Sequence, residues 1–549
     1  MAIFIPILKP IFQAQELIIT YGLKPFDICE SNAKLWQYIK IMYIITFFTS
    51  NLICSNFVYN KIPIKKKIEK HLDTKNKDDK LKLLIGYNQK TKEKIYIPKS
   101  GLFQNFLITG TIGSGKTSSA MYPFTKQLIK YNYLNPNSKI GMLILDVKGN
   151  YYNQVKKYVK KYNLEDDLIV IELKSKITYN PLNKPNLKPI VLANRLKIIL
   201  ELFSENNSES YWLDKAEQIL AEAIKLCRIY NDGYVTFKEI HNLITIPNYY
   251  KEKIQKLKEL FILNKLSLEQ IYELNMALNF FEREFQNLDP RTSSILKSEI
   301  TRITNTFISD YNVLKTFSPE RKELTFLGFE DVIKNGKIVV LNMNIAEYKN
   351  LSKVIAAYLK LDFQTEIMKK LNNNNERITA FICDEYAEYV TKTDSDFFAL
   401  SREAKCINIV STQSYSSLKN TLKDETSVKV ICQNLINKIW FRTDDIFTIE
   451  EAQKQLGKEE KEKISKNISE SAKKTRYNYL TKSLVNKDSS ISESLNIYTQ
   501  NDYVYDTNFF TLELETFNSL CFLSDGNKIL KPTKIKMYPY FLEEKEELL

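Results

Sequence analysis

From about residue 100 onward, short apolar runs alternate with longer stretches of helical periodicity. The runs are Asn105–Thr109, Ile140–Asp146, Leu168–Leu173, Lys337–Asn342, Ile378–Asp384, Ile407–Ser411 and Lys438–Phe441. They are of strand length and carry apolar residues at successive positions, the pattern of strands covered on both faces, so a parallel sheet flanked by helices is expected. Between residues 204 and 319 the pattern changes to helix alone, as in Trp212–Tyr230, Tyr250–Leu263 and Ser267–Phe285. That stretch reads as an all-helical insertion that divides one α/β domain into residues 100–203 and 320–549. Residues 456–503, rich in Lys, Glu, Ser and Asn, read as a solvated, flexible segment of that domain. Final strands are expected near Leu520–Leu523 and Lys534–Tyr538, ahead of an acidic tail from Glu543 to Glu547. There is no internal repeat.

The N-terminal pattern is different. Residues 41–60 carry no charge, contain Ile44, Ile45, Phe47, Phe48, Leu52 and Ile53, and are flanked by Trp36, Tyr38, Phe57 and Tyr59. Their length and aromatic flanks predict one membrane span within an anchor of residues 1–60. Thr46, Thr49, Ser50, Asn51 and Asn56 make it a polar span, and a buried amphipathic helix is the alternative. A second candidate, residues 3–19, is interrupted by Pro6, Lys9, Pro10 and Glu16. No small-residue cleavage site follows either segment, so neither reads as a signal peptide. Lys61, Lys65, Lys66, Lys67 and Lys70 open a basic juxtamembrane linker over residues 61–99, which by the positive-inside rule places the rest of the chain in the cytoplasm, at an inner membrane.

Charge adds less than it first promises. The 549 residues hold 79 basic and 65 acidic side chains, a net +14, but residues 61–100 alone hold thirteen Lys against five acids. More than half of the excess therefore sits at the membrane boundary, where anionic lipid explains it as well as nucleic acid does. Seven scattered cysteines without a CxxC pair exclude a disulfide framework, and two histidines make histidine-based catalysis or metal binding improbable. Chemistry falls to carboxylates, Lys, Arg and backbone.

Glycine is scarce at 13 residues, yet Gly110, Gly113 and Gly115 fall within six positions. They belong to Gly110-Thr111-Ile112-Gly113-Ser114-Gly115-Lys116-Thr117, which fits G-x-x-x-x-G-K-[ST]. A strand-like run precedes it and a helical stretch, Ser118–Tyr131, follows. In that context the backbone N–H groups of residues 110–118 wrap phosphates, Lys116 reaches the β- and γ-phosphates, and Thr117 holds Mg2+. ATP with Mg2+ is the expected ligand pair. An ATPase of this kind also needs an Asp at a strand end for the metal and a carboxylate for the attacking water. Asp384 followed at once by Glu385 supplies both, Asp384 toward Mg2+ and Glu385 as base, since adjacent strand residues point to opposite faces. Gln413, after the next strand, is placed to sense the γ-phosphate or the water, with an ordinary capping residue as the alternative. By composition alone Arg402 reads as a surface arginine.

Together these features resemble the coupling proteins of type IV secretion and conjugation, the TraG/TraD family of membrane-anchored DNA-pumping ATPases. The resemblance runs through GTIGSGKT with Pro123, Leu145-Asp146-Val147-Lys148-Gly149-Asn150, Tyr179-Asn180-Pro181-Leu182, Trp212 in the helical insertion, Asp384-Glu385, and Ser401-Arg402-Glu403-Ala404 leading to Gln413-Ser414. Val147 and Asn150 depart from the family's usual Pro and Glu, so only a structural role is carried onto Asp146 and Lys148. The resemblance implies a RecA-like core, a homohexameric ring with ATP between subunits, Arg402 reaching the neighbouring subunit's ATP, and Gln413 as polar sensor. It further implies transfer of single-stranded DNA, with its bound relaxase, into a type IV secretion channel. Another secretion or assembly motor, or a nucleotide-binding membrane adaptor that recruits substrates, stays open as an alternative.

Overall fold

Seven parallel strands lie side by side in one sheet. The computed structural model describes residues 41, 45–50, 81–146, 148–202, 210–259, 265–348, 350–372, 377–471, 476–480, 482–485 and 490–542. In chain order the strands are β1 (Lys82–Asn88), β2 (Lys94–Pro98), β3 (Phe106–Thr109), β4 (Gly141–Leu145), β5 (Leu168–Ile171), β6 (Ile338–Leu341), β7 (Thr379–Cys383), β8 (Cys406–Thr412), β9 (Asn437–Trp440), β10 (Lys458–Ser471), β11 (Arg476–Asn478), β12 (Ser483–Val485), β13 (Ser490–Tyr503), β14 (Asn518–Phe522) and β15 (Thr533–Lys536). Eleven of them form the main sheet in the order β2-β1-β15-β14-β9-β3-β8-β7-β4-β6-β5. Neighbours from β9 to β5 pair in parallel, and β14, β15, β1 and β2 continue the sheet antiparallel.

Both faces of the parallel region are covered, which is why its strands read as continuous apolar runs. Along β3 the pleat sends Leu107 into one core and Phe106 and Ile108 into the other. The first core gathers the helices Pro189–Leu202, Ser210–Tyr230 and Asn350–Lys369; the second gathers Tyr122–Leu134 and Tyr151–Lys161. The architecture is a mixed α/β fold with a large, parallel-rich sheet. Between Ser210 and Phe317 the described residues contribute helices and no strand.

One expectation needs correction. Residues 82–98 are not linker: β1 and β2 form an antiparallel pair, and β1 joins β15 at its other edge. Within the segment expected to be solvated, β10 and β13 pair antiparallel from Lys458 with Tyr503 to Ser471 with Ser490. A two-stranded ribbon satisfies its backbone without an apolar core, and cross-strand pairs such as Lys463–Asp502, at 2.6 Å, take up its charges.

Residues Met1–Lys80 form a unit of their own, separate from Leu81–Leu549. Residue 41 and residues 45–50 are helical. The remainder of the expected 41–60 span, the 3–19 candidate, the Lys61–Lys70 cluster and the acidic tail lie outside the described residues. Among the described residues no helix is long and apolar enough to cross a membrane.

Candidate functional site

The loop Gly110–Thr117 leaves the C-terminal end of β3 and enters a helix that starts as a π-turn, Thr117–Met121, and continues as Tyr122–Leu134. Its glycines are required by the backbone. Gly110, Gly113 and Gly115 have φ of 156°, 78° and 103°. A Cβ on Gly110 would stand 2.6 Å from Cβ of Phe441, and one on Gly115 would stand 2.6 Å from the Phe517 ring. Outside contacts pin the loop: Gly110 N–H donates to the Gln413 carbonyl at 3.2 Å and Thr111 N–H to the Arg442 carbonyl at 2.8 Å. The amides of Gly113, Gly115 and Lys116 donate to no acceptor among the described residues. A turn of unspent N–H groups at a helix N-terminus is the donor set an anionic phosphate requires.

Lys116 is buried, with Nζ donating to the carbonyls of Gly110 at 2.5 Å and Thr111 at 3.2 Å. Burial pushes its amine pKa down, while the charges of Glu385 and Asp384 oppose that shift. Thr117 and Asp384 come together as the sequence suggested, Thr117 Oγ1 donating to Asp384 Oδ2 at 2.8 Å. The Ser411 hydroxyl, at the end of β8, donates to the other oxygen, Oδ1. A hydroxyl and a carboxylate oxygen side by side suit a hard cation, and Mg2+ is usually held by one or two carboxylates with phosphate and water completing its shell. Among the described residues no group of three or more His, Cys, Asp or Glu offers an all-protein metal cage.

Glu385 diverges from Asp384 for a reason other than strand alternation. β7 ends at Cys383, and Glu385 takes a left-handed backbone with φ of 52°, which turns its side chain out of the strand line. Its Oε1 accepts from Lys148 Nζ at 3.1 Å and its Oε2 from Gln413 Nε2 at 3.4 Å. Burial alone would lower the Lys148 amine, but its bond to Glu385 and that residue's charge outweigh burial and hold its pKa raised. Asp146 accepts the backbone amides of Lys148, Asn150 and Tyr151 at 3.0, 3.0 and 3.1 Å, so it caps the next helix and fixes the segment that carries Lys148. Burial raises its pKa against those three amides.

Lys116, Thr117, Asp384, Glu385 and Gln413 are therefore brought into one cluster, joined by Lys148 and Ser411. No pattern pointed to Ser411, and Lys148 stood out only through its DVKGN segment. Arg402 is not in this cluster. It is exposed in the turn before β8, at the opposite end of the sheet, one strand of seven residues or about 20 Å away. Its Nη2 donates to the Gly526 carbonyl at 3.5 Å. Asn105, at φ of 55° just before β3, ties that turn to the strand of the phosphate loop: its Oδ1 accepts from Ser401 Oγ at 3.1 Å and from Asn408 Nδ2 at 2.7 Å.

Residues 379–495 match the profile of the TraG-D_C family, described as the TraM recognition site of TraD and TraG. The matched segment includes Asp384, Glu385, Arg402 and Gln413. Among solved structures the fold is similar to the bacterial conjugative coupling protein TrwBdeltaN70 in its unbound monoclinic form, at 13% identity and TM-score 0.54, over 85% of this chain and 90% of that one. The family match is confined to residues 379–495, and the likeness to the solved structure is one of fold. The plasmid coupling protein TrwB in complex with ADP and Mg2+ matches at 13% identity and TM-score 0.52, covering 84% of this chain and 94% of that one. TrwB with a non-hydrolysable ATP analogue matches at the same identity and TM-score, over 84% and 95%. No curated protein matches the chain by sequence.

Proposed function

We propose that this chain is a membrane-anchored, Mg2+-dependent ATPase of the conjugation coupling type, which uses hydrolysis to move single-stranded DNA, with its relaxase, into a type IV secretion channel. The observation that carries the ATPase reading is the meeting of three chain segments at one point: the amide-lined loop with Lys116, the Thr117–Asp384 pair at 2.8 Å, and Glu385 held between Lys148 and Gln413. Each has a role. The loop amides and Lys116 bind the β- and γ-phosphates, and Thr117 with Asp384 holds the cation. Held by Thr117 and Asp384, Mg2+ would supply positive charge next to the phosphates on the loop. Glu385 accepts the proton of the attacking water, while Gln413, bonded to both Glu385 and the loop through its side chain and carbonyl, reports whether the γ-phosphate is present.

Arg402 acts in trans. Its place about 20 Å from its own loop suits a contact with the nucleotide of a neighbouring subunit in a ring. The 41–60 segment anchors that ring in the inner membrane. Similarity to a coupling protein and the TraM-recognition segment support the DNA cargo; net charge contributes little.

The test is ATP turnover by the full-length protein with and without DNA. Stimulation by single strands supports the DNA pump. Turnover indifferent to DNA means a protein-moving or assembly motor, and nucleotide binding without turnover means an adaptor.

A further inference from the structure

On the sheet face opposite the helix that follows the phosphate loop, β9 floors a cleft of about 660 Å3. Its walls are the helices Glu425–Asn434 and Ile446–Leu456, with Tyr415, Phe447 and Phe522 as aromatic lining. Lys438 lies on that floor, 5% exposed, with no hydrogen-bond or ion-pair partner among the described residues. Glu451, the acid of the lining, is already engaged by Lys454 at 2.9 Å and Lys429 at 3.9 Å. Burial brings the Lys438 amine pKa down to about 8, with Cys432 the facing titratable group. The amine opens on the cleft from a largely desolvated side chain and has no counter-charge, and an anion entering the cleft would supply one. The cleft volume is that of a drug-sized ligand site, with an apolar and aromatic floor around Lys438 and a polar rim of Lys429, Gln433, Glu451, Lys454 and Gln455.

We propose that this cleft is a second ligand site, separate from the phosphate loop, that takes a small organic anion on an aromatic or branched apolar body, its acid group pairing with Lys438. The site is well placed to influence the first. Lys438 pairs with Leu107 of β3, and three and four residues further along the same chain Phe441 packs against Gly110 while the Arg442 carbonyl accepts from Thr111.

The probes are 1-anilinonaphthalene-8-sulfonate and N-phenyl-1-naphthylamine, which share a ring system and differ in the sulfonate. Each is titrated by fluorescence into the full-length protein. The expected result is saturable binding of the sulfonate that weakens at least tenfold in Lys438→Met, with the neutral dye unchanged. Cys432→Trp, which fills the cleft and keeps the amine, should lose both dyes while retaining nucleotide binding, and it serves as a second reading if Lys438→Met is poorly folded. The proposal is overturned if the sulfonate binds Lys438→Met within twofold of the native protein, if Cys432→Trp binds both dyes normally, or if the native protein takes up neither.

Discussion

Lys360 and Asp394 are both fully buried, their closest atoms 2.6 Å apart, behind the segment that follows Glu385. Lys360 Nζ also donates to the Tyr389 carbonyl at 2.6 Å and to Thr391 Oγ1 at 2.9 Å. Asp394 accepts further bonds from Thr391 N–H at 3.0 Å, Gln364 Nε2 at 2.9 Å and the Tyr386 hydroxyl. The pair thus pins residues 386–394 to the helix Asn350–Lys369 and sets the platform on which Glu385 holds its left-handed backbone. Lys360→Met keeps the volume but strands a buried carboxylate, which costs about 3–5 kcal/mol. Against a total stability on the order of 5–15 kcal/mol that is a large fraction. Adding Asp394→Asn removes the stranded charge while leaving an acceptor for Thr391 and Tyr386, so the double variant should regain about half of the loss. Urea denaturation followed by circular dichroism measures both, and ATP turnover should fall further than nucleotide binding in the single variant. A loss below about 1 kcal/mol in Lys360→Met, or a double variant no more stable than the single, would mean that the buried pair does not hold this segment in place.

Gly115→Ala must place a side chain at φ of 103° and 2.6 Å from the Phe517 ring, so nucleotide affinity should drop at least tenfold by equilibrium titration; native affinity would show that the loop can re-form around it. Lys438 has an amine pKa of about 8 in the fold against its ordinary 10.5, so the unfolded chain binds more protons between those values and native stability rises with pH across that window. Lys438→Met should therefore be more stable than the native protein by up to about 3 kcal/mol at pH 7, the gain shrinking to nothing above about pH 10.5; a pH-independent difference would contradict this. Mixing Arg402→Ala with Lys116→Ala subunits, each inert alone, should restore ATP turnover through sites that combine one intact loop with one intact arginine, and an inert mixture would count against action in trans.

How much the chain reveals beforehand follows from what each element needs. The parallel strands were legible because burial on both faces leaves uninterrupted apolar runs, and the turn at Gly110–Thr117 because positive φ at Gly110, Gly113 and Gly115 disfavours other residues. β1 and β2 were not, since they lie toward one edge of the sheet and carry Lys82 and Lys94 among apolar residues, a pattern that merges with the basic block before them. In the β10–β13 ribbon Ile464, Leu495 and Ile497 share one face, but Lys466 and Thr499 interrupt them, so neither strand sustains an apolar alternation that would betray it. In the site, the Asp384–Glu385 pair was readable, but the reason they separate was not: a left-handed residue after β7 leaves no mark in the sequence when it is not glycine. Ser411 and Lys148 reach the site through β8 and the turn after β4, placements that depend on strand order and are invisible to spacing along the chain.

The proposed hydrolysis takes place where the β3 loop meets the carboxylates that follow β7, and Glu385→Gln probes it without disturbing the loop. The side chain keeps its size and can still meet Gln413 and Lys148, so nucleotide binding should stay within a few-fold of native, while Mg2+-dependent ATP turnover should fall about 10²–10⁴-fold. Turnover of Glu385→Gln at the native rate would contradict the account.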